Sequence, residues 1–89
     1  MVERQIKVTN SLGVHARPAA KIVQAANQFK SEIRLITRSA QADAKSILNV
    51  LMLGATFDTP ITISASGIDE SEAVDSIAAL FTQKFNEEQ

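Results

Sequence analysis

The sequence predicts an α+β domain of order βαββαβα, in which helices cover one face of a sheet. Segments with strand periodicity and helix periodicity alternate along the chain. The two strands on either side of Arg38 are joined by too few residues for a crossover helix, so they must form an antiparallel hairpin. The length of 89 residues predicts a single domain over residues 1–89.

The first half of the chain contains one predicted strand, one helix and the hairpin. Residues 2–8 alternate apolar and polar side chains and predict the first strand. From Ala16 the apolar residues recur at helical spacing, and Pro18 fits the first turn because its missing N–H costs nothing there. Residues 33–37 predict the second strand, and residues 40–44 predict a short third strand. The predicted buried stripe of the helix is Ala19, Ile22, Val23, Ala26 and Phe29.

A short helix and a strand are predicted next. Ser46 precedes the apolar run at residues 47–53, and Gly54 follows it, which predicts a helix with a serine N-cap and a C-terminal glycine. Residues 60–65 begin with proline and then alternate apolar and polar side chains, as in a half-buried strand.

The last helix is predicted over residues 69–85. Asp69 is expected to cap it, with Glu72 three residues later and Ile68 packing onto Ala73. The predicted buried stripe is Ala73, Ile77, Leu80, Phe81 and Phe85. Residues 87–89 are predicted to form a frayed tail.

Composition and charge exclude several kinds of function. The chain has no cysteine and one histidine, which excludes disulfides, thiol catalysis and a multi-histidine metal site. Nine Lys and Arg against ten Asp and Glu give a net charge of −1, so a basic nucleic-acid footprint is absent. The longest apolar run is far shorter than the ~18 residues of a membrane span, and no signal-peptide pattern opens the chain. A cytoplasmic protein without a metal or cofactor is therefore expected.

The chemistry-bearing residue is His15, at the junction of a loop and the first turn of a helix. The helix leaves its first N–H groups unpaired, and its dipole favours a neutral, nucleophilic ring and a nearby anion. Arg17 adds a permanent charge whose forked donors suit phosphate. Gly13 permits a close backbone approach beside the ring. A nucleophile, an anion site and a cation thus lie within five residues, although a lone histidine before a helix is more often an exposed residue without chemistry.

The short helix after Ser46 is apolar on nearly every face. It could be sunk in the core, or some of its side chains could be exposed as a patch for docking other proteins. A seven-residue helix on a small domain cannot bury its whole circumference, which favours an exposed patch, but a short helix sunk in the core stays equally open. The apolar side chains concerned are Ile47, Leu48, Leu51 and Met52.

Three segments resemble the HPr family, the histidine-containing phosphocarrier proteins of the bacterial phosphotransferase system. Residues 10–20, NSLGVHARPAA, look like the family's active-site signature. Residues 45–54, KSILNVLMLG, resemble its motif around a regulatory serine, and residues 61–70 resemble its last strand and turn. The similarity extends from about residue 2 to residue 85, with matching lengths between the motifs.

The resemblance implies a fold and a mechanism. The fold is an open-faced sandwich of a four-stranded antiparallel sheet with three helices on one face. Enzyme I, phosphorylated from phosphoenolpyruvate, would pass a phosphoryl group to Nδ1 of His15, and a IIA domain would accept it for sugar uptake or regulation. Arg17 would be the charge partner, and the N–H groups of Ala16 and Arg17 would bind the phosphate. The implied docking surface comprises Arg17, Ala20, Lys21 and Gln24 beside an apolar patch of Ile47, Leu48 and Leu51.

Two features depart from the commoner family pattern. Asn49 stands where forms regulated at serine often have glycine, and residues 56–59, TFDT, replace a turn that more often carries glycine. Phosphorylation of Ser46 by an HPr kinase/phosphorylase therefore stays open. Residues 79–85 and the run at 51–53 also resemble the nitrogen-related NPr branch, so sugar transport and a purely regulatory relay both stay open.

Two classes of function are compatible with the sequence. The first is a monomeric phosphocarrier, which is a protein substrate and not an independent enzyme. The second is a regulatory binding module that acts through residues 47–51 and never carries phosphate. A pure binding module would not require the combination of His15, Arg17 and Pro18.

Overall fold

Four strands and three α-helices alternate along the chain in the predicted order. The computed structural model describes residues 1–86, and the predicted tail at 87–89 lies outside them. The strands are β1 (Val2–Lys7), β2 (Glu32–Ile36), β3 (Gln41–Asp43) and β4 (Pro60–Ser66). The helices are α1 (Ala16–Ala26), α2 (Ile47–Met52) and α3 (Glu70–Thr82), and a 3₁₀ turn follows at Lys84–Asn86.

The strands form one antiparallel sheet of order β1-β4-β2-β3. Because side chains alternate along each strand, Ile33 and Leu35 of β2 and Ile61 and Ile63 of β4 share the inner face and are buried. The hairpin predicted around Arg38 is confirmed as β2–β3, although β3 has only three residues. It is shorter than expected because the Thr37 N–H bonds the Ala40 carbonyl at 2.8 Å, which places residue 40 in the turn.

The helices contribute unequally to the core. α1 buries Ala19, Ile22 and Ala26. From α2 only Val50 is fully buried. The buried residues of α3, which packs against β1, β4 and β2, are Ala73, Val74, Ile77, Ala78 and Phe81. α2 therefore contributes one fully buried side chain to the core.

α1 and α2 pack side by side in opposite directions. Near the start of α1, the Val14 N–H donates to the Ala55 carbonyl at 2.9 Å, just beyond the end of α2. Past the other end of α1, the Lys45 ammonium donates to the Phe29 carbonyl at 2.7 Å, just before α2 begins. His15 therefore lies near the end of α2, whereas Ser46 lies near the end of α1.

The predicted capping of α3 by Asp69 is wrong. Its carboxylate makes no capping bond to its own helix. It accepts instead from the N–H groups of Lys30 and Ser31, each at 2.9 Å, and from the Ser31 hydroxyl at 2.5 Å. Glu70 bonds the Gly67 N–H at 3.1 Å, and Ile68 is 88% exposed, so it does not pack onto the helix. Asp69 thus joins the β4–α3 turn to the α1–β2 turn, a contact between distant segments that local spacing does not reveal.

The prediction that α3 continues to Phe85 is also wrong, although Phe85 is buried as expected. Residues 84–86 have φ between 52° and 60°, which is the left-handed region. This conformation is unfavourable for residues other than glycine. The ring of Phe85 packs edge-on against Phe81 at a centroid distance of 4.9 Å, and the Lys21 ammonium donates to the Phe85 carbonyl. These two contacts stabilise a turn that helix periodicity cannot predict.

Candidate functional site

His15 is the N-cap residue of α1 and is half-buried. Its backbone is extended, with φ −95° and ψ −163°, and its carbonyl accepts the first helical hydrogen bond, from the Ala19 N–H at 2.9 Å. The Nε2 atom of the ring is enclosed by protein. Because Nε2 is enclosed, an external reagent has no direct access to that ring nitrogen.

The turn before His15 is held on both sides. Asn10 is fully buried, its carbonyl accepts from the Gly13 N–H at 3.0 Å, and its side-chain amide donates to the Gly13 carbonyl. Gly13 has φ +71°, and a Cβ there would lie 2.6 Å from the Ala55 carbonyl oxygen and 2.9 Å from Cα of Thr56. Only glycine fits both the angle and the space. The backbone of residues 55–56 thus supports the loop that positions His15.

The first turn of α1 offers N–H groups to an external anion. Ala16 and Arg17 occupy its first two positions, where an N–H group has no carbonyl partner within the helix, and Pro18 has no N–H. Both residues are exposed. The first turn contains no acidic side chain, and no side chain caps it. Two backbone N–H groups next to His15 therefore have no partner within the helix.

Three of the four predicted docking residues on α1 are exposed: Arg17, Ala20 and Gln24. Within residues 1–86 the Arg17 guanidinium has no hydrogen-bond or ion-pair partner, so its donors are available. Lys21 differs, because it is half-buried and its ammonium is engaged by the Phe85 carbonyl. Its charge could contribute to docking, but its donors are partly used inside the protein.

The exposure of α2 decides between the two interpretations of that helix. Ile47, Leu48 and Leu51 are 42%, 63% and 39% exposed, and Met52 more so, while Val50 is buried. The helix is therefore not sunk in the core. The apolar patch of Ile47, Leu48 and Leu51 is at the surface, where the sequence predicted a docking site.

Ser46 caps α2 as predicted. Its Oγ accepts from the Asn49 N–H at 3.3 Å. The side chain of Asn49 accepts in turn from the Asp43 N–H at 3.4 Å and so joins α2 to the end of β3. Asn49, the departure noted in the sequence, has a structural role in fixing the start of this helix.

Two exposed apolar residues near His15 were not singled out from the sequence. Leu12 is 65% exposed in the turn before His15, and Phe57 is 58% exposed in the turn after Ala55. Phe57 lies in the segment already noted as unusual for its lack of glycine. A signal was present, because an aromatic residue among turn-forming residues does not fit a solvated turn.

No helix among residues 1–86 is both long enough and apolar enough to cross a membrane. Over the same residues, no three His, Cys, Asp or Glu side chains converge as metal ligands would.

Comparison with known proteins identifies the family. The family model described as "PTS HPr component phosphorylation site" matches residues 2–83. The chain belongs to the HPr family. Members of this family are phosphocarrier proteins of the phosphotransferase system, and the match covers every strand and α-helix of the fold.

The relatives of this chain include proteins named HPr and proteins named NPr, the two branches considered from the sequence. The phosphocarrier protein HPr of Cupriavidus necator is 40% identical over 87 residues, which cover 98% of each chain. The phosphocarrier protein NPr of Proteus mirabilis is 42% identical over 86 residues, 96% of each chain. The similarity to these two relatives therefore does not separate the two branches.

Solved structures of the family confirm the fold. The HPr of Thermoanaerobacter tengcongensis has a TM-score of 0.95 and 39% identity, with both chains fully covered. A dimeric HPr structure from the same organism has a TM-score of 0.78, with 98% of this chain covered and 100% of the other. The four-stranded antiparallel sheet with three helices is the fold of the HPr family.

Proposed function

We propose that His15 is the phosphoryl acceptor of this phosphocarrier, with Arg17 and the N–H groups of Ala16 and Arg17 as the phosphate-binding groups. The observation that carries the proposal is the position of His15 at the start of α1, beside two backbone donors and a guanidinium that have no partner among residues 1–86. These groups all come from the first turn of α1, whose preceding loop is supported by the backbone of residues 55–56.

The proposed reaction transfers one phosphoryl group from phosphorylated enzyme I to Nδ1 of His15. The lone pair of Nδ1 forms a bond to phosphorus while the bond from phosphorus to phosphorylated enzyme I breaks, and its electron pair returns to enzyme I. Nδ1 must be unprotonated to attack, so the ring proton is on Nε2. The enclosed position of Nε2 supports attack by Nδ1, because a phosphoryl donor cannot reach a buried nitrogen.

The phosphate on Nδ1 adds negative charge where the helix dipole and the donors favour it. The N–H groups of Ala16 and Arg17 can donate to its oxygens, and the Arg17 fork can bind two of them. A second transfer then carries the group to a IIA domain in the same way. Because phosphohistidine reacts with water, each partner must cover the site during transfer.

The exposed groups beside His15 support a docking role. We propose that partners bind the apolar patch of Ile47, Leu48 and Leu51 together with Arg17, Ala20, Lys21 and Gln24. α1 and α2 lie side by side, so one partner surface can contact both helices and the ring. An interface with an apolar centre and a charged rim is the usual form of such contacts.

We further propose that the chain acts as one domain and as a monomer in the cytoplasm. Each phosphoryl-binding group named above comes from the same copy of the chain, so a second copy is not needed to complete the site. Sedimentation measurements across the working concentration range test the monomer, and a dimer at micromolar concentration would contradict it. Modification of Ser46 by an HPr kinase/phosphorylase is a separate proposal, tested below.

The experiment for the proposed function is phosphorylation by enzyme I and phosphoenolpyruvate, followed by mass spectrometry. The wild-type chain should gain one acid-labile phosphoryl group that maps to His15 and is lost when a IIA domain is added. The alternative, a binding module that acts through residues 47–51, predicts complex formation with a partner but no mass change. The exposed patch makes that alternative worth testing in the same samples.

A further inference from the structure

A cavity of about 500 Å³ lies at one end of the sheet. Its walls are the turn of the β2–β3 hairpin, the segment that follows α2 and the start of β4. None of the residues proposed above for phosphoryl transfer or for docking lines it. Ligand cavities in proteins typically have volumes of about 300–1,000 Å³, so this cavity has the size of a small-molecule site.

The cavity opens where strands β2 and β4 separate. Their last pair is Ile36 with Thr62. Continued by two residues, the same register would place Arg38 opposite Pro60, but proline has no N–H to donate to a sheet. The chain turns into the β2–β3 hairpin instead. The gap between the two strands is therefore a feature of the fold.

The floor of the cavity belongs to the outer face of the sheet, opposite the helices. Gln5, Thr62 and Ile36 line the cavity and are direct neighbours across β1, β4 and β2. Side chains alternate along a strand, and the residues on either side of Thr62, Ile61 and Ile63, are buried on the inner face. The side chains of Gln5 and Thr62 have no hydrogen-bond partner among residues 1–86. The floor thus offers a free amide and a free hydroxyl next to the apolar side chain of Ile36.

Arg38 supplies the charge of the cavity. It is the one charged side chain among the described residues that line the cavity, and its exposed guanidinium has no hydrogen-bond or ion-pair partner within residues 1–86. The neighbouring Ser39 adds an exposed hydroxyl. Lys7, which pairs with Pro60 in the sheet, has its ammonium 3.7 Å from the Asp58 carboxylate, so that pair adds no net charge. The lining is therefore positive and suits an anion.

We propose that this cavity binds a small organic anion, with its carboxylate or phosphate group on Arg38 and its body against the floor. The planar guanidinium can donate two parallel hydrogen bonds to either group, and the Ser39 hydroxyl can donate another. The body of the ligand would contact Ile36 and the half-buried Leu53, and its polar groups would bind the amide and the hydroxyl of the floor. The site contains no part of the His15 site and does not depend on the proposed function.

The test is a titration of the isotope-labelled full chain, followed by the backbone amide signals in NMR spectra. Phenyl phosphate and benzoate carry both an anionic group and an apolar body, whereas inorganic phosphate has only the charge and benzyl alcohol has only the body. We expect phenyl phosphate or benzoate to shift the signals of Arg38, Gly54 and Thr62, which line the cavity. Either should bind more tightly than inorganic phosphate or benzyl alcohol, and the tighter of the two identifies the preferred anionic group.

Variants of the arginine test its role in binding. Arg38→Gln should weaken binding of the tighter probe by at least about tenfold, the effect of losing a hydrogen bond between charged groups. Arg38→Lys should restore part of the affinity, because it keeps the charge and loses the fork. Arg34→Gln is the matched control, since Arg34 is an exposed arginine of the same strand that does not line the cavity. It should bind as the wild type does, and the melting temperatures of all variants should match.

Three results would overturn the proposal. The first is the absence of any shift at the cavity with phenyl phosphate and benzoate. The second is a set of shifts centred on Ala16 and Arg17 that Arg17→Ala removes, because the anion would then bind at the start of α1. The third is equal affinity of Arg38→Gln and the wild type. Phosphorylation of His15 by enzyme I is a separate measurement, so its failure would leave binding at the cavity untouched.

Discussion

Backbone N–H groups lie at the start of α1 and in the turn beyond its end, and the two sets differ in whether the chain supplies an anion to bind them. At its start, the N–H groups of Ala16 and Arg17 have no acidic side chain near them within the first turn. In the turn beyond its end, the N–H groups of Lys30 and Ser31 both donate to the Asp69 carboxylate. One end is therefore open to an anion from outside, and the other is closed by an anion from the same chain.

The closed end shows what such donors do to a bound anion. The Ser31 hydroxyl, and then the Lys30 N–H, hold the pKa of Asp69 at about 2, below its ordinary value of 3.8. Hydrogen bonds to a carboxylate stabilise its charged form. The first turns of α2 and α3 also have partners from the same chain. Ser46 caps α2, and the first turn of α3 contains acidic residues. The start of α1 is the exception among the three α-helices, and it is the one that carries His15.

The largest effect is expected when the acceptor residue at the open end, His15, is removed. His15→Ala should abolish acid-labile phosphorylation by enzyme I, because the variant lacks the imidazole ring that accepts the group. The fold should persist, since the His15 carbonyl, which the substitution keeps, accepts the first bond of α1. Mass spectrometry with circular dichroism checks both expectations. Full phosphorylation of this variant would move the site elsewhere.

Arg17 is the next largest contribution at the open end. Arg17→Ala should slow transfer by on the order of 10- to 100-fold, the loss expected for one hydrogen bond to a charged group. Arg17→Lys should restore part of the rate, because a point charge lacks the planar fork. Rapid-quench measurement of the initial rate checks this order. Equal rates for the three forms would show that the backbone donors of α1 suffice.

The difference between the two ends also separates what the sequence could predict from what it could not. The placement of residues at the open end was predicted, because His15, Arg17 and Pro18 lie within four residues at the start of one helix and their placement is local. The closed end was mispredicted, because Asp69 stands before α3 and its partners lie 38 and 39 residues earlier in the chain. Helix-capping rules consider only neighbours in sequence. The same reason explains Phe85, whose burial was predicted but whose turn depends on Phe81 and Lys21.

The exposed apolar surface was predicted only where its residues are close together in the sequence. The α2 patch could be proposed because the predicted helix of seven residues, 47–53, cannot bury apolar side chains on every face. Leu12 and Phe57 belong to two separate turns, and only the approach of Gly13 to Ala55 and Thr56 brings those turns together. No periodicity links residues 45 positions apart in a chain. Their proximity is a property of the tertiary structure.

Asp69→Asn tests the closed end. The variant should be less stable at neutral pH because a charge-assisted contact to Lys30 and Ser31 is lost. The pKa of Asp69 is lower in the folded state, so its contribution is present above pH ~4 and is lost as the pH falls through ~2. The wild type should therefore lose stability in that window, and the variant should lose less. Glu70, whose pKa is also lowered by the Gly67 N–H, accounts for part of the dependence that remains.

The control for this experiment is Asp75→Asn. Asp75 pairs with Arg4 at the surface, and exposed pairs contribute little to stability. Its melting temperature should stay close to that of the wild type at each pH. Phosphoryl transfer to His15 should be normal in both variants. A loss of transfer in Asp69→Asn without a loss of folding would show that the two ends are coupled.

The smallest effect is expected at Ser46, where the comparison is extended to α2. Ser46 already caps this helix. A negative charge there interacts favourably with the helix dipole and should stabilise the fold, typically by ~0.3–1 kcal/mol. α1 has 11 residues, and Ser46 lies roughly 16 Å from His15, one length of that helix away. The Debye length at physiological salt is about 8 Å, so a charge on Ser46 acts weakly on His15 itself.

Ser46→Asp should nevertheless slow phosphorylation of His15 by a few-fold, because the charge lies beside Ile47 and Leu48 and must be desolvated when a partner covers them. Ser46→Ala should transfer at the wild-type rate with slightly lower stability, since it loses the cap. The effect of aspartate should appear in KM, with kcat preserved, because docking is impaired and the reacting groups are not. Initial rates over a range of carrier concentration, with melting temperatures of both variants, check this. A fall in kcat alone would place the effect at His15, and a fall explained by unfolding would remove the electrostatic argument.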